Sequence, residues 1–192
     1  MTAEDAWSGG HYEVELYYPP RFPLYEPLAA LWGFPALRGP VASRDAEAWE
    51  QETSDLSALT PYLEEEQVGA NHYGALCLPN MAEVACMSIV ARYEGGHGYV
   101  ALALPWGSLG HVFDTGYEND RAWIQEVDTV LVQVAEHVFQ RAPFTRGLIG
   151  YEIDLDEPLN DPGVVPDERN QGVLDVRNGT IAFYPATARW LG

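Results

Sequence analysis

Apolar and polar residues alternate over residues 11–18, and this period of two predicts a β-strand near the start of the chain. One face of the predicted strand carries Glu13 and Glu15. The opposite face carries Tyr12, Val14, Leu16 and Tyr18. Because Pro19 and Pro20 follow at once, we expect the strand to end there.

A short amphipathic helix is predicted over residues 24–32, where apolar residues recur at helical spacing. Pro27 is compatible with this helix only in its first turn, and Gly33 and Pro35 are typical of its end. From residue 37 to residue 69 the pattern weakens. We expect an irregular segment there, with one helical turn or short strand.

Three strand-like runs occupy residues 73–78, 84–93 and 99–104, and Pro79-Asn80 and a glycine-rich stretch separate them. This pattern predicts an antiparallel meander. Cys77 and Cys86 flank the first turn of the meander, where their side chains can lie directly opposite each other. In a reducing compartment we expect both thiols to be free.

The main helix is predicted around residues 123–138, because apolar residues recur there at three- and four-residue intervals. Asn119 or Asp120 can cap its start, and Pro143 marks its end. Several valines lower its helix propensity, which leaves a strand as the alternative over residues 129–134. The apolar positions are Trp123, Val127, Leu131, Val134 and Val138.

Another strand is predicted over residues 147–153, followed by a proline- and acid-rich loop over residues 154–171. Residues 173–176 and 180–184 flank Asn178-Gly179, a dipeptide that is a strong signal for a β-hairpin. A short final helix is predicted over residues 185–191.

Together these elements predict an α+β fold. We expect a mostly antiparallel sheet with a central meander, and a long amphipathic helix and shorter helices packed mainly on one face. The length of 192 residues fits one domain, and no repeat or low-complexity segment divides the chain. We therefore predict a single domain over residues 1–192.

The net charge of the chain restricts the classes of partner that it can bind. The chain has 29 acidic residues against 10 arginines and no lysine, which gives a formal net charge of -19. Such a surface repels phosphate backbones and anionic lipid headgroups, so we expect neither nucleic-acid nor membrane binding. The absence of lysine also excludes a P-loop lysine, a Schiff-base lysine and a lysine-dependent kinase site.

The first ten residues are acidic and contain no apolar core segment, which is unlike a secretory signal peptide. No stretch approaches the roughly 18 consecutive apolar residues of a membrane-spanning helix. These features predict a cytoplasmic protein.

Two acidic segments are the predicted partner-binding surface. The first is Glu64, Glu65 and Glu66, and the second contains Asp154, Asp156, Glu157, Asp167 and Glu168. Loop carboxylates of this kind attract positively charged proteins and raise their association rate. The leading hypothesis is a non-enzymatic acidic protein that binds a basic protein partner in an immunity-like or docking role and needs no cofactor.

The alternative hypothesis is a small enzyme or a divalent-metal-dependent binder. His111, Asp114 and Glu118 supply one imidazole and two carboxylates over a short stretch before the main helix, and His97 or His72 can join them. Such groups offer hard oxygen ligands for a divalent cation or a titratable proton for acid–base chemistry. The hypothesis requires their side chains to converge in a pocket.

Overall fold

A computed structural model gives the fold, and it describes residues 3–41, 55–59, 69–92, 95–113, 122–153 and 164–187. The strands are β1 His11–Tyr18, β2 Leu37–Val41, β3 Gly69–Cys77, β4 Glu83–Arg92, β5 Gly98–Pro105, β6 Arg146–Tyr151, β7 Gly172–Arg177 and β8 Thr180–Tyr184. The helices are α1 Ala3–Ala6, α2 Tyr25–Trp32, α3 Trp106–Val112 and α4 Ala122–Phe139, with a 3-10 turn at Leu56–Leu59.

The eight strands form one sheet in the order β2-β3-β4-β5-β1-β6-β7-β8, and all the strand pairs are antiparallel. The predicted α+β class with a mostly antiparallel sheet is therefore confirmed, and so is the meander of β3, β4 and β5. The first strand in sequence lies in the middle of the sheet, because β1 pairs with β5 on one side and with β6 on the other.

One face of β1 contributes to the main hydrophobic core. Its side chains pack with those of α2 and α4 in a single cluster of buried residues. The cluster includes Tyr12, Val14, Leu16 and Tyr18 from β1, Leu28, Leu31 and Trp32 from α2, and Trp123, Val127, Leu131, Val134 and Val138 from α4. The helical alternative is thus the correct one for residues 129–134.

The opposite face of β1 carries Glu13 and Glu15, as the alternation predicts, but both glutamates are buried. The register places Glu13 between Ala103 of β5 and Gly150 of β6. It places Glu15 between Ala101 and Leu148. Three of these four neighbours on β5 and β6 are small, and only Leu148 has a large side chain.

The hairpin of β7 and β8 turns at Asn178-Gly179, as predicted. Arg177 pairs with Thr180, so the loop has two residues. Asn178 has φ 53 and Gly179 has φ 75, which are the positive values that the favoured tight hairpin turns require. This hairpin lies at one edge of the sheet, and β8 is the edge strand.

The sequence allowed the two cysteines to lie opposite each other, but the structure does not place them so. The register of β3 and β4 pairs Cys77 with Glu83 and Cys86 with Gly74. Each thiol therefore has a different residue across the strand pair, and both cysteines are free. Within the described ranges, none of the helices has the length and apolar character needed to span a bilayer.

Candidate functional site

Two of the predicted partner-binding residues, Asp167 and Glu168, lie in described parts of the chain, and both are exposed. The others lie outside the described residues: Glu64, Glu65, Glu66, Asp154, Asp156 and Glu157.

Arg169 fixes the backbone that carries these two acids. Its Nε donates a hydrogen bond to the carbonyl oxygen of Pro185 at 2.8 Å, and one of its terminal nitrogens donates to that of Pro166 at 2.8 Å. The backbone nitrogen of Arg169 also donates to the hydroxyl of Thr187 at 2.9 Å. The guanidinium group of Arg169 therefore donates to backbone carbonyl groups. Its hydrogen bonds, together with that of the Arg169 backbone nitrogen, connect the turn to residues 185–187. We call residues 166–169 the acidic turn.

A groove of about 610 Å³ lies between α4 and the end of β8. Residues of α4 form one wall, and Phe183 and residues 185–187 form the other. The lining residues are Gln125, Asp128, Thr129, Val132, Gln133, Phe183, Pro185, Ala186 and Thr187. Because Pro185 and Thr187 also hold the acidic turn, Asp167 and Glu168 lie close to this groove.

Within the described ranges, Asp128 is the one lining residue with a charged side chain. It is only 4% exposed, and its Oδ1 accepts a hydrogen bond from the hydroxyl of Tyr12 at 2.6 Å. Tyr12 is itself fixed in the core and makes an edge-to-face contact with Trp123 at 5.7 Å between ring centroids. The central strand thus orients a buried carboxylate at the groove.

A second group of carboxyls lies on the other face of β1. The hydroxyl of Tyr17 donates a hydrogen bond to Glu15, and the backbone N–H of Ile153 donates to Oε1 of Glu13 at 3.2 Å. Glu13 and Glu15 are two residues apart on one strand, so their α-carbons are roughly 6.6 Å apart. We call Glu13 and Glu15 the buried glutamate pair.

Burial controls the protonation of the buried glutamate pair. It raises the pKa of Glu13 from 4.5 to about 8, and repulsion from Glu15 and Glu152 adds to this effect, while the N–H of Ile153 opposes it. Burial also raises the pKa of Glu15 to about 7, against the opposing hydrogen bond from Tyr17. Such carboxyls exchange a proton near neutral pH, which is the property of general acids and bases.

Gln171 lies next to the buried glutamate pair. A β-carbon built on Gly150 would stand 3.0 Å from Cγ of Gln171, and Gly150 is the cross-strand partner of Glu13. Among the described residues, the buried Oε1 of Gln171 has no hydrogen-bond partner, and neither has the buried Nε of Arg146. This part of the sheet therefore combines protonatable carboxyls with polar side-chain atoms that the described residues leave unsatisfied.

The residues of the alternative hypothesis are distributed differently. His111 is exposed at the end of α3, whereas Asp114 and Glu118 lie outside the described residues. His97 precedes β5 and His111 follows it, so the length of that strand separates them. His72 is buried in β3, with Nδ1 3.5 Å from the hydroxyl of Ser88. In the described part of the chain, no group of three or more His, Cys, Asp or Glu residues is placed to hold a metal ion.

Sequence reasoning missed Asp128 and the buried glutamate pair as site residues. Asp128 is one polar position in a helical pattern, and its donor Tyr12 is 116 positions away in the chain. The two glutamates gave a usable signal, because they alternate with large apolar residues in a strand. That signal becomes informative only when the strand is known to be central.

Comparison with protein-family models, with curated proteins and with solved structures gave no match for this chain.

Proposed function

We propose that this protein binds a basic protein partner, in an immunity-like or docking role, and that the acidic turn beside the groove is part of the contact surface. The observation that carries the proposal is the exposure of Asp167 and Glu168 on a backbone that Arg169 fixes from within. Carboxylates held in this way attract a cationic surface without the cost of ordering a loop.

The use of the arginines supports this proposal. Arg92 donates to the carbonyl oxygens of Gly96 and Phe22, at 2.9 and 2.8 Å. Arg38 and Arg177 form ion pairs with Glu83 and Asp175. These positive charges serve the protein's own structure, while the formal net charge remains -19. The field outside the protein is therefore negative and favours a basic partner.

The proposal keeps the finer expectations from the sequence. In it, α4 is the long amphipathic helix that supplies one wall of the contact surface. The acidic residues Glu64, Glu65, Glu66, Asp154, Asp156 and Glu157, which lie outside the described residues, remain part of the predicted partner-binding set. No catalytic step is assigned to the protein.

The test compares two variants that lose the same charge at opposite edges of the sheet. D167N/E168Q neutralises the acidic turn, and E26Q/D55N neutralises two exposed carboxylates near α2, which contacts β2 at the other edge. Binding to a panel of purified basic proteins is measured by fluorescence anisotropy at about 50 mM and about 300 mM NaCl.

We expect at least one basic protein to bind and to lose affinity steeply with salt, because exposed charges are screened. D167N/E168Q should weaken this binding more than E26Q/D55N. Equal losses of affinity in the two variants would show that the effect depends on net charge alone. The acidic turn would then no longer be part of the proposal. Absence of any salt-sensitive basic binder would overturn the proposed function.

The alternative, a metal-dependent site around His111, Asp114 and Glu118, has its own test. Thermal melts in EDTA are compared with melts in Mg²⁺, Ca²⁺, Mn²⁺ or Zn²⁺ at matched ionic strength. A metal at about 100 times its Kd stabilises the fold by roughly 2.7 kcal/mol. A rise in Tm with one metal that H111N abolishes and H137N retains would favour the alternative.

A further inference from the structure

We propose that the groove between α4 and β8 receives one arginine side chain of the basic partner, with the guanidinium group on Asp128 and the aliphatic stem against Phe183. This inference rests on the proposed function and names the group that the groove recognises. It is carried by the groove's shape, by its buried carboxylate and by the chemistry of its two walls.

The polar groups of the groove favour a cationic ligand. Among the residues that the structure describes, those that line the groove include no basic side chain. The carboxylate of Asp128 accepts the Tyr12 hydroxyl at Oδ1, which fixes its orientation. Gln125 and Gln133 stand on the same wall of α4, and their side-chain carbonyl oxygens are further acceptors. A ligand rich in N–H donors satisfies this set, whereas an anion meets a buried negative charge.

The apolar groups of the groove favour arginine over lysine. Phe183 and Pro185 face Val132 of α4 across the groove. A guanidinium is planar, binds a carboxylate through two parallel N–H groups and stacks on aromatic rings. A lysine ammonium is compact and more strongly hydrated, so it gains less from an aromatic wall.

The size and surroundings of the groove are suited to binding an arginine side chain. Its volume of about 610 Å³ lies within the usual range of ligand sites, which leaves room for the arginine together with neighbouring parts of the partner chain. Asp167 and Glu168 stand next to the wall formed by Pro185 and Thr187. Their negative field steers the cation towards the groove before the short-range contacts form.

The experiment uses three fluorescent peptides on the full chain. They share the sequence acetyl-Gly-Ala-X-Leu-Ala-Gly-amide, where X is arginine, lysine or citrulline. Citrulline keeps the shape of arginine and removes its charge. We expect the arginine peptide to bind best and the citrulline peptide to bind roughly tenfold or more weakly, since a charge-assisted contact is lost.

Variants of the chain locate the contact. D128N should bring the arginine peptide down to the affinity of the citrulline peptide, because it keeps an acceptor for Tyr12 and removes the charge. Q133R places a positive charge in the groove wall and should weaken binding, whereas Q140R makes the same change at an exposed position outside the groove lining. Circular dichroism verifies that each variant is folded.

The outcomes separate this inference from the proposed function. If basic proteins bind the acidic turn but D128N and Q133R bind the arginine peptide as Q140R does, the groove inference is overturned and the proposed function remains. If the citrulline and arginine peptides bind wild type equally, the inference is likewise overturned. If neither basic proteins nor basic peptides bind, both proposals fail.

Discussion

Carboxyl groups lie on both sides of β1, in different settings. On the face towards α4, Asp128 accepts one hydrogen bond from Tyr12 and lines a groove. On the other face, Glu13 and Glu15 lie side by side and are only 7% and 4% exposed. The first setting places a carboxyl group in the wall of a groove, whereas the second disfavours the charged form of the carboxyl groups. Burial alone therefore does not identify a binding residue; access and hydrogen bonding decide its role.

The largest expected effect is on the pH dependence of stability. A carboxyl whose pKa is raised on folding stabilises the native state fully below its unfolded value, and this contribution is lost as the pH rises through the folded value. For Glu13 the window runs from 4.5 to about 8. The free energy of unfolding should therefore fall between pH 5 and pH 9, by on the order of 4 kcal/mol from Glu13 alone.

The test is urea unfolding across this pH range. E13Q/E15Q should flatten the profile and raise stability at pH 9, because a glutamine side chain cannot become charged. E136Q changes an exposed glutamate of α4 in the same way and should leave the profile as it is in wild type. A wild-type profile that rises from pH 5 to pH 9 would contradict the assigned protonation of the pair.

The contrast between the two faces also shows what the sequence can predict. Alternation in residues 11–18 gave the strand and its two faces, and Asn178-Gly179 gave the hairpin, since these signals are local. The position of β1 between β5 and β6 depends on pairing between distant residues, which periodicity does not contain. The burial of Glu13 and Glu15 follows from that position, so it could not be anticipated.

The candidate site shows the same division between local sequence signals and contacts between distant residues. The charge of Asp167 and Glu168 was the basis for predicting them as contact residues, and both side chains are exposed. The part played by Arg169 depends on carbonyl groups at residues 166 and 185, and the groove depends on α4 meeting the end of β8. The sign of the surface charge can thus be predicted from the sequence, whereas the shape of the surface depends on tertiary contacts.

A smaller effect is expected from the hydrogen bond to Asp128. Y12F removes the donor and leaves a buried carboxylate short of one partner, which should lower the free energy of unfolding by about 2 kcal/mol. Y25F makes the same change on the half-buried Tyr25 of α2 and serves as the control. Urea unfolding at neutral pH measures this loss. A loss no greater than that of Y25F would mean that the hydrogen bond from Tyr12 to Asp128 contributes little to stability.

The smallest expected effect concerns the hairpin that supplies one wall of the groove. Gly179 has φ +75 with nothing within 4 Å of an added β-carbon, so Gly179→Ala costs backbone strain without a steric clash, about 1 kcal/mol. Gly69→Ala is the matched control, since its added β-carbon also meets nothing within 4 Å and no positive φ is involved. Because β8 carries Phe183, the first substitution should weaken peptide binding at the groove while leaving the pH dependence that arises from Glu13 and Glu15 intact. A change in that pH dependence would show that the two faces of the sheet are coupled, and the separation of recognition from proton uptake would then be wrong.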